Sequence, residues 1–331
     1  METFDKWFAI VNPVAGSGKG LSDWPLISKL LRDHHIVPEY AFTERKYHAI
    51  ELAVEAINNG FRKIMVVGGD GTIHEVVNGL FIQKAVPTTE VLVGVIAVGT
   101  GNDWIRMFGI PHKYSEAIRA IVEGHSFLQD VGVVSYHKAT YKQERYMANV
   151  AGVGFDAVVN RRYNHLKEEG KRGKWLYLWS TLKALLRYSS TGVKVYVDDE
   201  LVVNDLVYSA TIGIGRYNGG GMLQTPDAVA DDGVFDLTVI RKMSWLSVLF
   251  HFKVLFNGKI YRLSKTSLNR GRRIRIESSP EIALEVDGEA LGYSPFGFEI
   301  IDRAVRVVVA KRFLEEGSAG KSVADRILEN K

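Results

Sequence analysis

The feature that most limits what this chain can become is the run Gly68-Gly69-Asp70-Gly71-Thr72. It follows the segment Lys63 to Val67, apolar after its lysine, and precedes Ile73, Val76, Val77 and Leu80 at helical spacing. A short apolar run ended by glycine and followed by a helix reads as a buried parallel strand leading into a strand-to-helix turn. Glycines there let backbone N–H groups approach an anion, and the helix N-terminus adds about half a positive charge. The turn therefore predicts a phosphate site, and Asp70, a carboxylate beside phosphates, predicts magnesium between them. The competing reading is an ordinary turn, where Gly and Asp are also common; five such residues in this order and place weigh against it.

The same device recurs at Gly99-Thr100-Gly101-Asn102-Asp103, after the apolar run Val91 to Val98. A third small-residue loop, Asn12-Pro13 with Ala15-Gly16-Ser17-Gly18-Lys19-Gly20, follows Phe8 to Val11. Helical periodicity over Asp23 to Arg32, His48 to Asn58 and Ser115 to Glu123 completes a βαβ pattern, so the three loops are expected at one edge of a parallel sheet as a nucleotide site. None is a P-loop, because Gly20 follows Gly18-Lys19, and none completes G-x-G-x-x-G, because Trp104 takes the last position. Protein-kinase triplets are missing, and the nine histidines include no zinc-site spacing.

From about Gly132 the pattern changes to alternating strands with turn pairs, at 193–203, 232–240, 272–278 and 282–289, which predicts an antiparallel β domain. The chain has 331 residues, ample for two domains, with 46% hydrophobic and 24% charged residues, ordinary globular usage. The expected division is 1–131 and 132–299, with the segment from about 300 to 331 free to return to the first. Gly213-Ile214-Gly215 and Gly219-Gly220-Gly221 are read as bends and a rim. Zero cysteines exclude disulfides and cysteine chemistry. Residues 1–8 do not read as a signal peptide, and the apolar window Trp245 to Phe256, broken by His251 and Lys253, is short of the ~20 residues that span a bilayer. Net charge is +4, with basic clusters at 161–174 and 270–275 that fit a solvated face or anionic headgroups.

The ordered set of NP-x-x-G-x-G-K-G from Asn12, GGDGT, GTGNDWIR at 99–106, DVG at 130–132 and the late DDG and DGE resembles the diacylglycerol kinase catalytic family. That family includes bacterial soluble lipid kinases related to sphingosine and ceramide kinases. GGDGT alone is shared with NAD kinases; the whole set is more specific. The resemblance implies an α/β Rossmann-like N-terminal domain and a C-terminal antiparallel β-sandwich, with ATP and lipid meeting in the cleft. It implies ATP contacts at Asn12, Thr43, Gly68, Gly69, Asp70, Gly71, Thr72, Glu75, Thr100 and Asn102, although FTERKYHA around Thr43 departs from the glycine-rich stretch usual there. His74 is expected to line the ATP site. The resemblance places Asp70, Asp103 and Asp130 around a catalytic magnesium and makes Glu289 the general base, with Asp70 and Asp103 as its catalytic companions. A second, structural magnesium is implied at Asp232 with the carbonyls of Val229 and Val234, against a plain β-turn.

The implied reaction is ATP- and magnesium-dependent phosphorylation of a lipid hydroxyl, diacylglycerol first, with a sphingoid base, ceramide or phosphatidylglycerol as alternatives. An NAD kinase and an inactive lipid-binding protein are the rivals. ATP and a lipid at a membrane surface are the expected partners, nucleic acid is not, and a homodimer stays open; the expected location is cytoplasmic and peripheral to a membrane. The aromatic stretches 174–187 and 244–256 read as helices, core or membrane-facing, and 313–331 as a mobile tail or a helix returning to the first domain.

Overall fold

A computed structural model describes residues 5–99, 101–155, 157–159, 188–244, 246–247 and 252–315. The stretch 174–187, Thr100 and the tail beyond 315 lie outside the described residues, as does most of 244–251.

The first half is a parallel sheet built from the apolar runs. β1 (Trp7–Val11) pairs with β2 (Glu39–Phe42) on one side and β3 (Lys63–Gly68) on the other, and β3 pairs with β4 (Leu92–Ala97). β3 and β4 are buried at every position after the first, which is why they read as unbroken apolar runs. Helices α1 (Ala15–Ser22), α2 (Trp24–Asp33), α3 (His48–Asn58), α4 (Asp70–Ile82), α5 (Asp103–Met107) and α6 (Tyr114–Glu123) fill the connections. α3 buries Leu52, Ala53, Ala56 and Ile57, and α4 buries Ile73, Val76, Val77 and Leu80. Each larger side chain so buried stabilises by about 1.5–3 kcal/mol. The two helices approach closely at Gly79, where a Cβ would lie 2.8 Å from Ala53 Cβ.

The order β4-β3-β1-β2 means that the chain leaves β1 for one side and then crosses to the other. The carboxyl ends of β1 and β3 form the crevice where such sheets bind ligands.

The second half is antiparallel. β5 (Ser126–Lys138), β6 (Tyr141–Met147), β7 (Val150–Gly154), β8 (Thr191–Val197) and β9 (Glu200–Gly213) are followed by a small hairpin, β10 (Tyr217–Asn218) and β11 (Met222–Leu223). β12 (Phe235–Arg241), β13 (Thr266–Gly271), β14 (Arg273–Ser279), β15 (Ala283–Val286) and β16 (Glu289–Val308) complete it. β9 pairs first with β8 and then with β7 and β12, while β16 pairs with β15, β14 and β5. Because β14 also pairs with β8, and β15 with β7, these strands close the layer around a core that includes Phe235, Phe296 and Phe298.

β16 continues into the first half, where Arg306 and Val307 lie parallel to Leu92 and Val93 of β4. Phe313, in the short helix Lys311–Glu315, then packs edge-on against Phe108 and Phe127 at 5.3 and 5.1 Å. β5 runs unbroken through residue 131, so both halves share one sheet rather than a linker.

Candidate active site

Three loops meet where β1, β3 and β4 end. Asn12 donates from Nδ2 to Thr72 Oγ1 at 2.9 Å, tying the first loop to GGDGT. A Cβ on Gly16 would lie 3.1 Å from Gly99 N, and one on Gly69 would lie 3.3 Å from Asn102 Oδ1. Gly68 must be glycine, because its Cβ would fall 2.5 Å from Thr72 Oγ1. In the first loop Gly16, Ser17 and Gly18 all adopt positive φ, so the chain turns left-handed before helix α1 is properly under way. Thr43 follows β2 on the same edge, its N–H donating to the Val11 carbonyl at 2.9 Å.

Asp70 is the staple between the second and third loops. Its two oxygens accept from the backbone N–H groups of Asp103 and Trp104 at 3.0 and 3.1 Å, the first residues of α5. Trp104 is buried behind them and donates to Gln129 on β5. Asn102 is buried at φ 55, with its side-chain amide on the Gly99 carbonyl. Asp103 reaches the other half of the molecule: Oδ2 accepts from Gly220 N–H, at the tip of the β10–β11 hairpin, at 2.7 Å. Its Oδ1 is buried with no hydrogen-bond partner, 3.6 Å from Arg106 Nε. Burial, with the Asp103 charge beside it, pushes the Asp70 carboxyl up to about 6, and burial also raises Asp103. Two desolvated carboxylates, one with an oxygen that takes no hydrogen bond, suit a hard divalent cation, and Asp70 and Asp103 are the residues that would hold it.

Glu289 closes the crevice from the second half. It is the first residue of β16, after a two-residue hairpin turn in which Asp287 and Gly288 have φ of 49 and 86. Its Oε1 lies 3.6 Å from where a Cβ on Gly71 would be, and its Oε2 lies 2.5 Å from Lys46 Nζ.

Residues 6–134 match the diacylglycerol kinase catalytic domain, and residues 149–309 match the YegS C-terminal NAD kinase beta sandwich-like domain. The chain belongs to the diacylglycerol kinase catalytic-domain family. Membership makes it a lipid kinase, a phosphotransferase. A diacylglycerol kinase of Mycobacterium tuberculosis is 29% identical over 303 residues, covering 91% of this chain and 94% of its own. The crystal structure of a Bacillus anthracis diacylglycerol kinase shares the fold, with TM-score 0.73 and 24% identity over 94% of this chain and 99% of that one. Yeast NADH kinase shares it more distantly, with TM-score 0.52 and 12% identity over 97% and 89%.

Several expected residues of this lipid kinase stand elsewhere than anticipated. Asp130 does not join Asp70 and Asp103. It is wholly buried, accepts from Gly233 and Arg303 N–H at 2.8 and 2.7 Å, and is pushed up to about 6 by burial, with Asp302 and Asp232 its charged neighbours. β5 carries it to the Asp231–Gly233 turn because its backbone N–H also bonds Ala230. At that turn Asp232 forms an ion pair with Arg270 and accepts from Val234 N–H at 3.3 Å, the arrangement of a side-chain-closed turn. Among the described residues no three acidic or histidine side chains converge as a metal cage.

Glu75 braces the start of α3, its carboxylate accepting from Tyr47 and Ala49 N–H. His74 does not line the crevice. It is buried, and its Nδ1 lies 3.0 Å from Asp287 Oδ2. Asp287 also accepts from the backbone N–H groups of Ala148, Asn149 and Val150, so the turn that presents Glu289 is pinned to both halves. Sequence reading missed Lys46, Arg106 and this role of Asp287. The one legible signal was the charged stretch after Thr43.

Proposed function

We propose that this lipid kinase transfers the γ-phosphate of ATP to the free hydroxyl of diacylglycerol, at a membrane surface, with magnesium. The carrying observation is Glu289, set against Gly71 of the phosphate loop but supplied by the other half of the molecule. A nucleotide whose phosphates rest on the Gly68–Thr72 and Gly99–Asp103 loops points its terminal phosphate toward that carboxylate. The acceptor hydroxyl gives its proton to Glu289, its oxygen bonds the γ-phosphorus, and the bond to the bridging oxygen breaks with its electrons left on ADP. Magnesium, when bound, offsets the phosphate charge; Asp70 and Asp103 would hold it. No helix among the described residues is long and apolar enough to cross a membrane, which is compatible with a peripheral enzyme.

Label from γ-labelled ATP is expected on diacylglycerol in a panel that also offers ceramide, a sphingoid base, phosphatidylglycerol and NAD. Label on NAD alone would reverse the reading.

The pH behaviour follows from Asp70. Its folded value of about 6 exceeds the ordinary 3.8, so between those limits the folded protein holds a proton that the unfolded chain has released. Stability without a cation therefore falls as pH rises from about 4 to about 6. A divalent cation takes the place of that proton, so magnesium should raise the melting temperature more at about pH 7.5 than at about pH 5. Equal increments at both would take the cation away from this carboxylate pair.

A further inference from the structure

Lys46 sits in the loop between β2 and α3, where its neighbours Glu44 and Arg45 are also charged. The loop is not slack. Tyr47 turns the chain at φ 66, and Glu75 holds the turn through the Tyr47 and Ala49 N–H groups at 2.9 and 3.1 Å. Arg45 leaves outward to Glu51 at 2.6 Å. Lys46 leaves toward the crevice, and its ammonium meets Glu289 Oε2 across the two halves. Its side chain is 52% exposed against 18% for Glu289, so the stem can swing while the carboxylate stays in place.

Charge and distance indicate its use. A hydroxyl within about 2.6–3.2 Å of the base, its oxygen about 3–3.5 Å from phosphorus, puts that phosphorus within about 7 Å of Glu289. Lys46 Nζ already lies inside that radius, on the oxygen turned away from Gly71. Arg145 and Lys46 both stand over the Tyr47 ring, at 5.3 and 5.0 Å from its centre, and the Lys46 ammonium turns to the nearest anion. Before substrate arrives that anion is Glu289. Once the acceptor proton moves to Glu289, the carboxylate loses its charge just as charge spreads over the phosphoryl oxygens.

We propose that Lys46 is a catalytic residue of the lipid-kinase reaction proposed above, its ammonium passing from Glu289 to the phosphoryl group in transfer. The contact strengthens only as the reaction proceeds, so its loss falls on turnover rather than on nucleotide binding.

The test compares the wild type, Lys46→Met and Lys46→Arg as full chains, reading single-turnover transfer to lipid, affinity for a non-hydrolysable ATP analogue, and melting temperature. Lys46→Met should slow transfer by about 10²-fold, the loss typical of one donor at developing charge. Nucleotide affinity should stay within about threefold, and Lys46→Arg, which keeps the charge, should recover to within about tenfold of wild type. The decisive arm repeats Lys46→Met in a Glu289→Gln background. A comparable further loss there supports direct contact with the phosphoryl group; no further loss means that Lys46 acts only through Glu289 and overturns the proposal. Unchanged or faster transfer by Lys46→Met alone overturns it too, by making the lysine a mere latch. A wild type that phosphorylates no lipid would instead sink the lipid-kinase reading and this role with it.

Discussion

Glu289→Gln is expected to lower turnover by about 10² to 10⁴ while ATP affinity stays near wild type, the range a positioned general base contributes. Gln keeps the length and shape of the side chain on a turn whose position does not depend on it. That turn is held by Asp287, through three backbone N–H groups at 2.8–3.0 Å and His74 at 3.0 Å. The substitution therefore removes a proton acceptor without moving the backbone that presents it. It also dissolves the ion pair with Lys46, but that ammonium is half exposed and can turn to water, so the fold survives. Single-turnover transfer and binding of a non-hydrolysable nucleotide, measured on the same samples, separate the two effects. If the mutant lost nucleotide binding but kept normal transfer, Glu289 would belong to the nucleotide or metal site, and Asp103 would be the next candidate base.

Asp70→Asn should abolish transfer altogether, by more than about 10³-fold, because Asp70 has two tasks and Asn fails both. As a carboxylate beside Asp103, it is one of two groups that would neutralise a cation at the phosphates. As a double acceptor, it sets the start of α5 through Asp103 and Trp104 N–H. In Asn one of those oxygens becomes an NH₂ facing an N–H, so the third loop loses its anchor to the second. A charge-assisted hydrogen bond of this kind is worth about 1.5–3 kcal/mol. Removing a desolvated charge offsets part of that, so the variant should stay folded. Thermal unfolding and magnesium-dependent transfer together check this. Folded protein with near-normal turnover would end the assignment of GGDGT as the phosphate loop.

What could be read from the chain before folding was whatever depends on neighbours a few residues apart. β1, β3 and β4 are buried on both faces, and their helices bury a face at i, i+3 and i+4 spacing, so periodicity is enough to place them. Hairpins were legible for the same reason. Asp198-Asp199 and Asp287-Gly288 adopt the positive φ that two-residue turns require. β16 was not legible beyond its first residue. Gly292, Pro295 and Gly297 interrupt its alternation, its register shifts twice against β5, and its partners lie far away in the chain.

The chemistry on offer was written in the primary structure: three glycine-rich turns at strand ends, acids within them, and a late Asp-Gly-Glu, hence a phosphate-handling α/β protein with a β half. Which acids share a site was settled by folding. Asp130 was separated from Asp70 and Asp103 by the pairing of β5, which delivers it to Gly233 and Arg303. Glu75 was spent on the start of α3, and His74 on Asp287, 213 residues away. The physical reason is that a carboxylate or imidazole leaving water takes whichever N–H or charge the packed chain sets beside it. That partner is fixed by strand register and helix contact across the whole fold, as Lys46 and Glu289 are, and no local pattern encodes it.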